Sequence, residues 1–156
     1  MITKVNISDG SLKYWQRIEL GQILTSGELS DTQKMLKAME CMLERAPEIE
    51  EYPECIEYYA EIIEGIRLWI ERENSELRNS PTPEEIQAGI EELSKEVGDF
   101  GTANELAKNY GKTPEEVLNW EYHYVFAILR DDVKKHLYRA KLNKIIEQKR
   151  TQKYKN

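Results

Sequence analysis

Apolar residues recur along most of the chain at spacings of three and four, the period of a helix that buries one face. In four places a hydroxyl residue precedes a Gln or Glu by three positions, which is the pattern of a helix-capping box. These boxes begin at Ser30, Thr82, Thr102 and Thr113. We therefore predict an all-α fold built from several separate helices, with residues 2–7 as the only candidate strand.

The same pattern divides the chain into seven predicted helices. They cover residues 12–24, 31–45, 53–77, 83–97, 103–110, 114–120 and a last long helix that carries apolar positions from residue 122 onward. Asp131 and Asp132 mark a candidate kink in this last helix. The third helix has one apolar stripe, which we expect to face the core: Ile56, Tyr59, Ile63, Ile66, Ile70 and Leu77.

Residues 98–101, which begin and end with glycine, are the predicted hinge of the chain. We predict an antiparallel, acidic helical domain in residues 1–97 and a smaller C-terminal helical unit in residues 102–156, with one continuous domain as the alternative. Charge supports this division. Residues 40–99 carry 18 acidic and 5 basic side chains, whereas residues 100–156 carry 7 acidic and 12 basic ones. A partner could recognise this asymmetry, although solvated helix faces give the same pattern.

Few residues suggest catalysis or cofactor binding. Cys41 and Cys55 are too far apart for a CxxC site and too few for a disulfide framework, so we expect reduced thiols. Neither His123 nor His136 has an acid three positions before it, as a helical di-metal site requires. We predict no enzyme activity, no metal and no cofactor. Without a long apolar run or a recognisable secretory signal, we expect a cytoplasmic protein that does not contact a membrane.

The segment from residue 102 to residue 120 resembles the helix-turn-helix of bacterial regulators. Two short helices meet at Gly111, and apolar residues occupy the packing positions of that motif: Leu106, Ala107, Val117 and Trp120. However, the recognition helix would be residues 113–121, which contain three Glu and no Lys or Arg. Carboxylates at the groove would repel phosphates. A DNA-binding regulator is therefore our alternative, and nucleic acid is not the expected partner.

A second resemblance covers about residues 100–145. Three stretches resemble the C-terminal portions of tail assembly chaperones of long-tailed bacteriophages: Leu106-Ala-Lys-x-Tyr-Gly111, Pro114-Glu-Glu-Val-Leu-Asn-Trp120 and Tyr122-x-x-Val-Phe-Ala-Ile-Leu129. This resemblance implies a non-catalytic chaperone or adaptor that binds a phage structural protein, such as tape measure or tail tube, in the bacterial host cytoplasm. The acidic composition leaves a small phage inhibitor of a host protein as a further alternative.

A chaperone of this kind needs apolar and aromatic surface rather than a polar pocket. Because aromatic and Arg side chains often dominate binding energy, we predict a partner-binding set near the C-terminus: Trp120, Tyr122, Tyr124, Tyr138, Arg139 and Lys141. Within this region we expect Trp120 and Phe126 on the inner face, and Tyr124 and Tyr138 exposed. The oligomeric state is left open, with a homo-oligomer among the alternatives.

Overall fold

A computed structural model describes residues 2–78 and 81–153, and the side chains of all but the last of these. Seven α-helices occupy these ranges: α1 Tyr14–Thr25, α2 Asp31–Leu43, α3 Tyr52–Glu76, α4 Pro83–Gln87, α5 Ile90–Tyr110, α6 Pro114–Leu118 and α7 Tyr122–Lys153. A short 3-10 helix, Ile49–Glu51, leads into α3. The all-α prediction is confirmed. Residues 2–7 are not a strand, since they have no strand partner within the described ranges. They lie alongside α3 instead.

Three of the four predicted capping boxes are present. The hydroxyls of Ser30, Thr82 and Thr113 each accept a hydrogen bond from the backbone N–H three residues later. The box predicted at Thr102 is wrong, because this residue lies inside α5. A residue inside a helix meets no unpaired N-terminal amides, so its hydroxyl has nothing to cap.

The helix boundaries between residues 83 and 110 differ from the prediction. Gly89 has a left-handed backbone conformation and divides the predicted fourth helix into α4 and the start of α5. The predicted break at residues 98–101 is reduced to one residue, Gly98, where α5 is kinked. Its φ of 51° and ψ of −153° lie in a region that only glycine readily adopts. Residues 99–110 then continue as helix.

The core-facing stripe predicted for α3 is wrong for two of its six members, Ile56 and Ile63, whereas Tyr59, Ile70 and Leu77 are half-buried against the core. Ile56 is 61% exposed and Ile63 is 43% exposed. The buried side chains lie one position earlier along the helix, which is a rotation of about 100°: Cys55, Tyr58, Ile62, Ile66 and Trp69. Only Ile66 belongs to both sets.

The N-terminal segment explains which face of α3 is buried. The backbone N–H of Val5 donates to the Tyr58 hydroxyl at 2.9 Å, and the Trp69 indole N–H donates to the Ile7 carbonyl at 2.7 Å. Both side chains therefore lie beneath residues 5–7, and each polar atom has a partner, which burial requires. Ile56 and Ile63, each one position after a buried residue, face outward as a result.

Backbone hydrogen bonds join the two predicted units at one junction. Tyr14 donates to the Trp120 carbonyl at 2.9 Å, Tyr122 donates to the Leu12 carbonyl at 2.8 Å, and His123 donates to the Gly10 carbonyl at 3.1 Å. Side chains from both units are buried in one hydrophobic cluster around this junction, including Leu12, Trp69, Leu106, Val117 and Phe126. Residues 154–156 of the predicted C-terminal unit lie outside the described residues.

Candidate protein-interaction surface

The first two turns of α7 belong to the core. Tyr122, Val125 and Phe126 are buried, and Leu129 is half-buried. Trp69 of α3 packs edge-on against Tyr122 and Phe126, with ring centroids 5.0 and 5.1 Å away. Aromatic pairs in this arrangement are favourable beyond the area that they bury. The junction and these rings fix the direction in which α7 leaves the core.

The rest of α7 is a long exposed helix, which we call the α7 extension (residues 131–153). From Asp131 to Gln152 every side chain is exposed except that of Val133, which is half-buried. The extension is about 35 Å long at 1.5 Å per residue. The kink predicted at Asp131 and Asp132 is wrong, since α7 is continuous there. The extension has no Pro or Gly, the usual causes of a sharp kink.

Large apolar side chains of the extension share one face. At about 100° per residue, four of them fall within an arc of about 100°: Tyr138, Leu142, Ile145 and Ile146. We call this set the apolar face of the extension. All four are exposed, and Tyr138 is 66% exposed. Sequence analysis selected only Tyr138 from this set, although the spacing of the three aliphatic residues was visible.

Cations surround this apolar face. Residues 134–152 contain seven Lys or Arg and one acid, Glu147. Among the described side chains, Lys135 is the only one of these cations with an ion pair, at 3.9 Å from Asp132. Arg139 and Lys141 are exposed, as are the other cations of this stretch. The extension therefore combines exposed apolar area with a positive charge that its own chain leaves uncompensated.

The predicted partner-binding residues do not form one cluster. Tyr138, Arg139 and Lys141 lie together on the extension. Tyr124 is 60% exposed on the same side of α7, but 14 residues, or about 21 Å, separate it from Tyr138. Trp120 is half-buried, and its ring lies edge-on to Tyr110 at 5.7 Å. The expected positions of Phe126, Tyr124 and Tyr138 match the structure.

Tyr122 has to be removed from the predicted binding set, since it is only 3% exposed. Its ring stacks on Tyr14 at 5.8 Å, and its hydroxyl donates to Glu73 at 2.5 Å. Burial, and then the hydrogen bond to Glu73, raise the pKa of this phenol far above its usual value. Arg17 binds the same carboxylate through two nitrogens, at 2.8 and 2.5 Å. This group ties α1, α3 and α7 together, and sequence analysis did not identify Arg17 or Glu73.

The α5–α6 pair has the predicted turn, and its second helix is short and acidic. Gly111 is left-handed and ends α5, as predicted. However, α6 has only five residues, about 7.5 Å of helix, and Val117 within it is fully buried. Its exposed acids are Glu115 and Glu116, and the Thr113 backbone N–H holds the pKa of Glu116 below its usual range. A recognition helix needs several exposed residues that tolerate phosphate.

Metal sites and membrane spans are not found in the part of the chain that the structure describes. No group of three or more His, Cys, Asp or Glu side chains there could hold a metal ion. Cys41 and Cys55 are both buried and unpaired, and burial raises the pKa of the Cys41 thiol to about 12. None of the described helices combines the length and apolar character needed to cross a membrane.

No protein-family model, no curated protein and no solved structure matches this chain.

Proposed function

We propose that the protein is a non-catalytic assembly chaperone or adaptor that holds another polypeptide on the α7 extension. One observation carries this proposal: the exposed extension, about 35 Å long, has an apolar face at residues 138–146 that nothing in the described chain covers. Contiguous apolar surface on a folded chain commonly marks an interaction site. The exposed extension continues the same helix whose first turns are buried in the core, so its position relative to the core is fixed at that end.

The chemistry of the extension indicates the chemistry of its partner. Residues 138, 142 and 145 are spaced as in a helix that packs along another helix or in a groove. The uncompensated cations favour an acidic partner and speed its association. An amphipathic acidic helix satisfies both requirements. A phage structural protein such as tape measure or tail tube is the partner that the sequence resemblance suggests.

The predicted site residues take different roles in this proposal. Tyr138 is the aromatic anchor because it is the most exposed large apolar side chain of the extension. Arg139 and Lys141 lie beside it and supply charge rather than buried area. We expect their removal to slow association more than it speeds dissociation, as is usual for charges at the rim of an interface.

Co-expression tests the proposal. The chain is produced together with the product of each reading frame that adjoins its gene, and complex formation is measured by co-purification and titration of the purified proteins. The test variant is Tyr138→Gln, Leu142→Gln and Ile145→Gln. The matched control carries Ile49→Gln in the 3-10 helix and Ile56→Gln and Ile63→Gln in α3, which removes three exposed apolar side chains elsewhere. We expect the test variant to weaken binding by at least about tenfold and the control to bind like wild type.

Two results would overturn this proposal. One is a partner that binds the test variant as tightly as the wild type, since the extension would then not be the binding surface. The other is a duplex DNA probe that binds with an affinity falling steeply as salt rises, which would favour the regulator alternative.

A further inference from the structure

A second helical segment also leaves an apolar face uncovered. We call residues 83–97, which comprise α4 and the first half of α5, the acidic arm. Ile86, Leu93 and Val97 are exposed there, and Leu93 is 54% exposed. Ile90, Leu93 and Val97 follow the helical spacing and form one stripe. The kink at Gly98 ends the arm, so this stripe does not continue into the packed half of α5.

The charge of the arm is opposite to that of the extension. The arm has five Glu and one Lys. Among the described side chains, Glu84, Glu92 and Glu96 have no ion pair, and all three are exposed. Glu92 and Glu96 flank the apolar stripe on one side, within about 100° of Leu93. The arm is therefore an acidic amphipathic segment with the properties that the extension requires of a partner.

We propose that two copies of this chain pair reciprocally, with the acidic arm of each copy packed on the apolar face of the other copy's α7 extension. One complementary pair of surfaces then gives two equivalent contacts about a two-fold axis, and no copy is left with an open surface. The apolar stripe of the arm spans residues 90–97 and the apolar face of the extension spans residues 138–146, so the two apolar surfaces are comparable in length.

This inference rests on the proposed function, since it makes a second copy the occupant of the extension until another acidic partner displaces it. Opposite charges around both stripes set the register and disfavour pairing of extension with extension or of arm with arm. Since these charges are exposed, the association should weaken as salt screens them. The dimer should therefore be reversible and should compete with binding of the true partner.

Sedimentation of the purified full-length chain tests this pairing. At low ionic strength we expect the mass to rise with concentration from 18.3 kDa towards twice that value, and to fall back at high salt. A wild type that stays monomeric at the highest concentration in low salt would overturn the inference. A dimer that is indifferent to salt would also count against it.

Charge reversal identifies the two surfaces. The arm-reversed variant carries Glu84→Lys, Glu92→Lys and Glu96→Lys, and the extension-reversed variant carries Arg139→Glu, Lys141→Glu and Lys149→Glu. Each variant should be monomeric, because both contacts of its homodimer would oppose like charges. An equimolar mixture should dimerise, because one contact is then the wild-type one and the other has both signs exchanged. If the arm instead covered the extension of its own chain, the mixture would stay monomeric, and the inference would fail.

Matched controls separate this effect from general charge and folding effects. Glu40→Lys, Glu50→Lys and Glu57→Lys give the same charge change at exposed positions outside both surfaces, and this variant should dimerise like wild type. Circular dichroism checks that each variant is folded. If the arm-reversed variant misfolds, Glu84→Gln, Glu92→Gln and Glu96→Gln provide the same test with a smaller perturbation. Dimerisation of either arm variant at the wild-type level would contradict the pairing.

Failure of this inference can be distinguished from failure of the proposed function. The arm-reversed variant retains the whole extension, so it should still bind a partner found by co-expression, and at lower concentrations because no second copy competes. A monomeric wild type that binds such a partner would refute only the pairing. If the wild type dimerises as expected but the extension-reversed variant still binds the partner, only the proposed function is refuted.

Discussion

The two parts of α7 have similar large side chains but different environments. Tyr122 and Phe126 pack against Trp69 of α3, whereas Tyr138 and Leu142 lie exposed on the same helix. Composition does not separate these parts. The difference is that the first turns of α7 lie against residues 10–14 and against Trp69 of α3, whereas no segment of the described chain packs on the extension. An amphipathic face becomes core or binding surface according to what the chain places next to it.

The acidic side chains show the same contrast. In α3, Glu73 is bound by Arg17, while Arg67 forms ion pairs with Glu64 and Glu71. In the acidic arm, the described carboxylates of Glu84, Glu92 and Glu96 have no such partners. The acids of α3 are therefore partly satisfied within the fold, and the acids of the arm remain available to another molecule. Net charge does not show this distinction.

Trp69→Ala should give the largest effect and should separate the two parts of α7. The side chain is buried, it donates to the Ile7 carbonyl, and it contacts Tyr122 and Phe126. Its removal leaves a cavity and an unpaired carbonyl, so we expect a loss of about 3–5 kcal/mol in the free energy of unfolding. Urea denaturation followed by circular dichroism measures this loss.

Tyr138→Ala is the matched control, because it also removes a large aromatic ring but from the exposed part of the molecule. We expect its free energy of unfolding to stay within about 0.5 kcal/mol of wild type, as is usual for surface substitutions. A cost comparable to that of Trp69→Ala would show that the extension is packed in solution.

Tyr122→Phe should have an intermediate effect and compares two tyrosines two residues apart. The change keeps the buried ring but removes the hydroxyl that donates to Glu73. Arg17 still binds this carboxylate, so we expect a cost of about 1–2 kcal/mol. Tyr124→Phe is the control, since its hydroxyl has no hydrogen bond within the described residues, and it should be close to neutral. Equal midpoints in urea for the two variants would contradict this role of the hydroxyl.

Local signals predicted the helices well and their relative positions less well. Three capping boxes and the turn at Gly111 involve neighbouring residues only, so the sequence was sufficient for them. The buried stripe of α3 depends on distant partners, because both stripes of this helix are apolar. Hydrogen bonds from Trp69 to Ile7 and between Tyr58 and Val5 select one stripe, and they span more than 50 residues.

The candidate surface was predictable only in part for a related reason. Tyr138, Arg139 and Lys141 lie beyond the part of α7 that packs against other helices, and the exposure of Tyr138 matches the prediction. Tyr122 belongs to the same aromatic run in the sequence, yet it lies at the junction with residues 10–14 and is buried. The acidic arm was visible as an amphipathic pattern, but the pattern does not show that its apolar face lacks a partner.

The smallest expected effect is on the pH dependence of stability, and it comes from the carboxylate of Glu51. Glu51 accepts two hydrogen bonds from Arg45, at 2.8 and 2.7 Å, and one from the Glu48 backbone N–H at 3.1 Å. The Arg45 hydrogen bonds, followed by the Glu48 amide, lower the pKa of this carboxyl to about 2. A lowered pKa in the folded state means that the ionised carboxylate stabilises the fold above its ordinary pKa of about 4.5.

Glu51→Gln should therefore lower the melting temperature at pH 7, and its difference from wild type should shrink as pH falls from about 4.5 towards 2. Below that range both proteins lack the ionised group, so their melting curves should converge. Glu96→Gln in the acidic arm removes an exposed carboxylate that has no ion pair among the described residues, and its difference from wild type should remain small throughout. Thermal denaturation at closely spaced pH values measures both differences. If Glu51→Gln differed from wild type by a constant amount at every pH, the contacts of Glu51 would stabilise the fold through packing rather than charge.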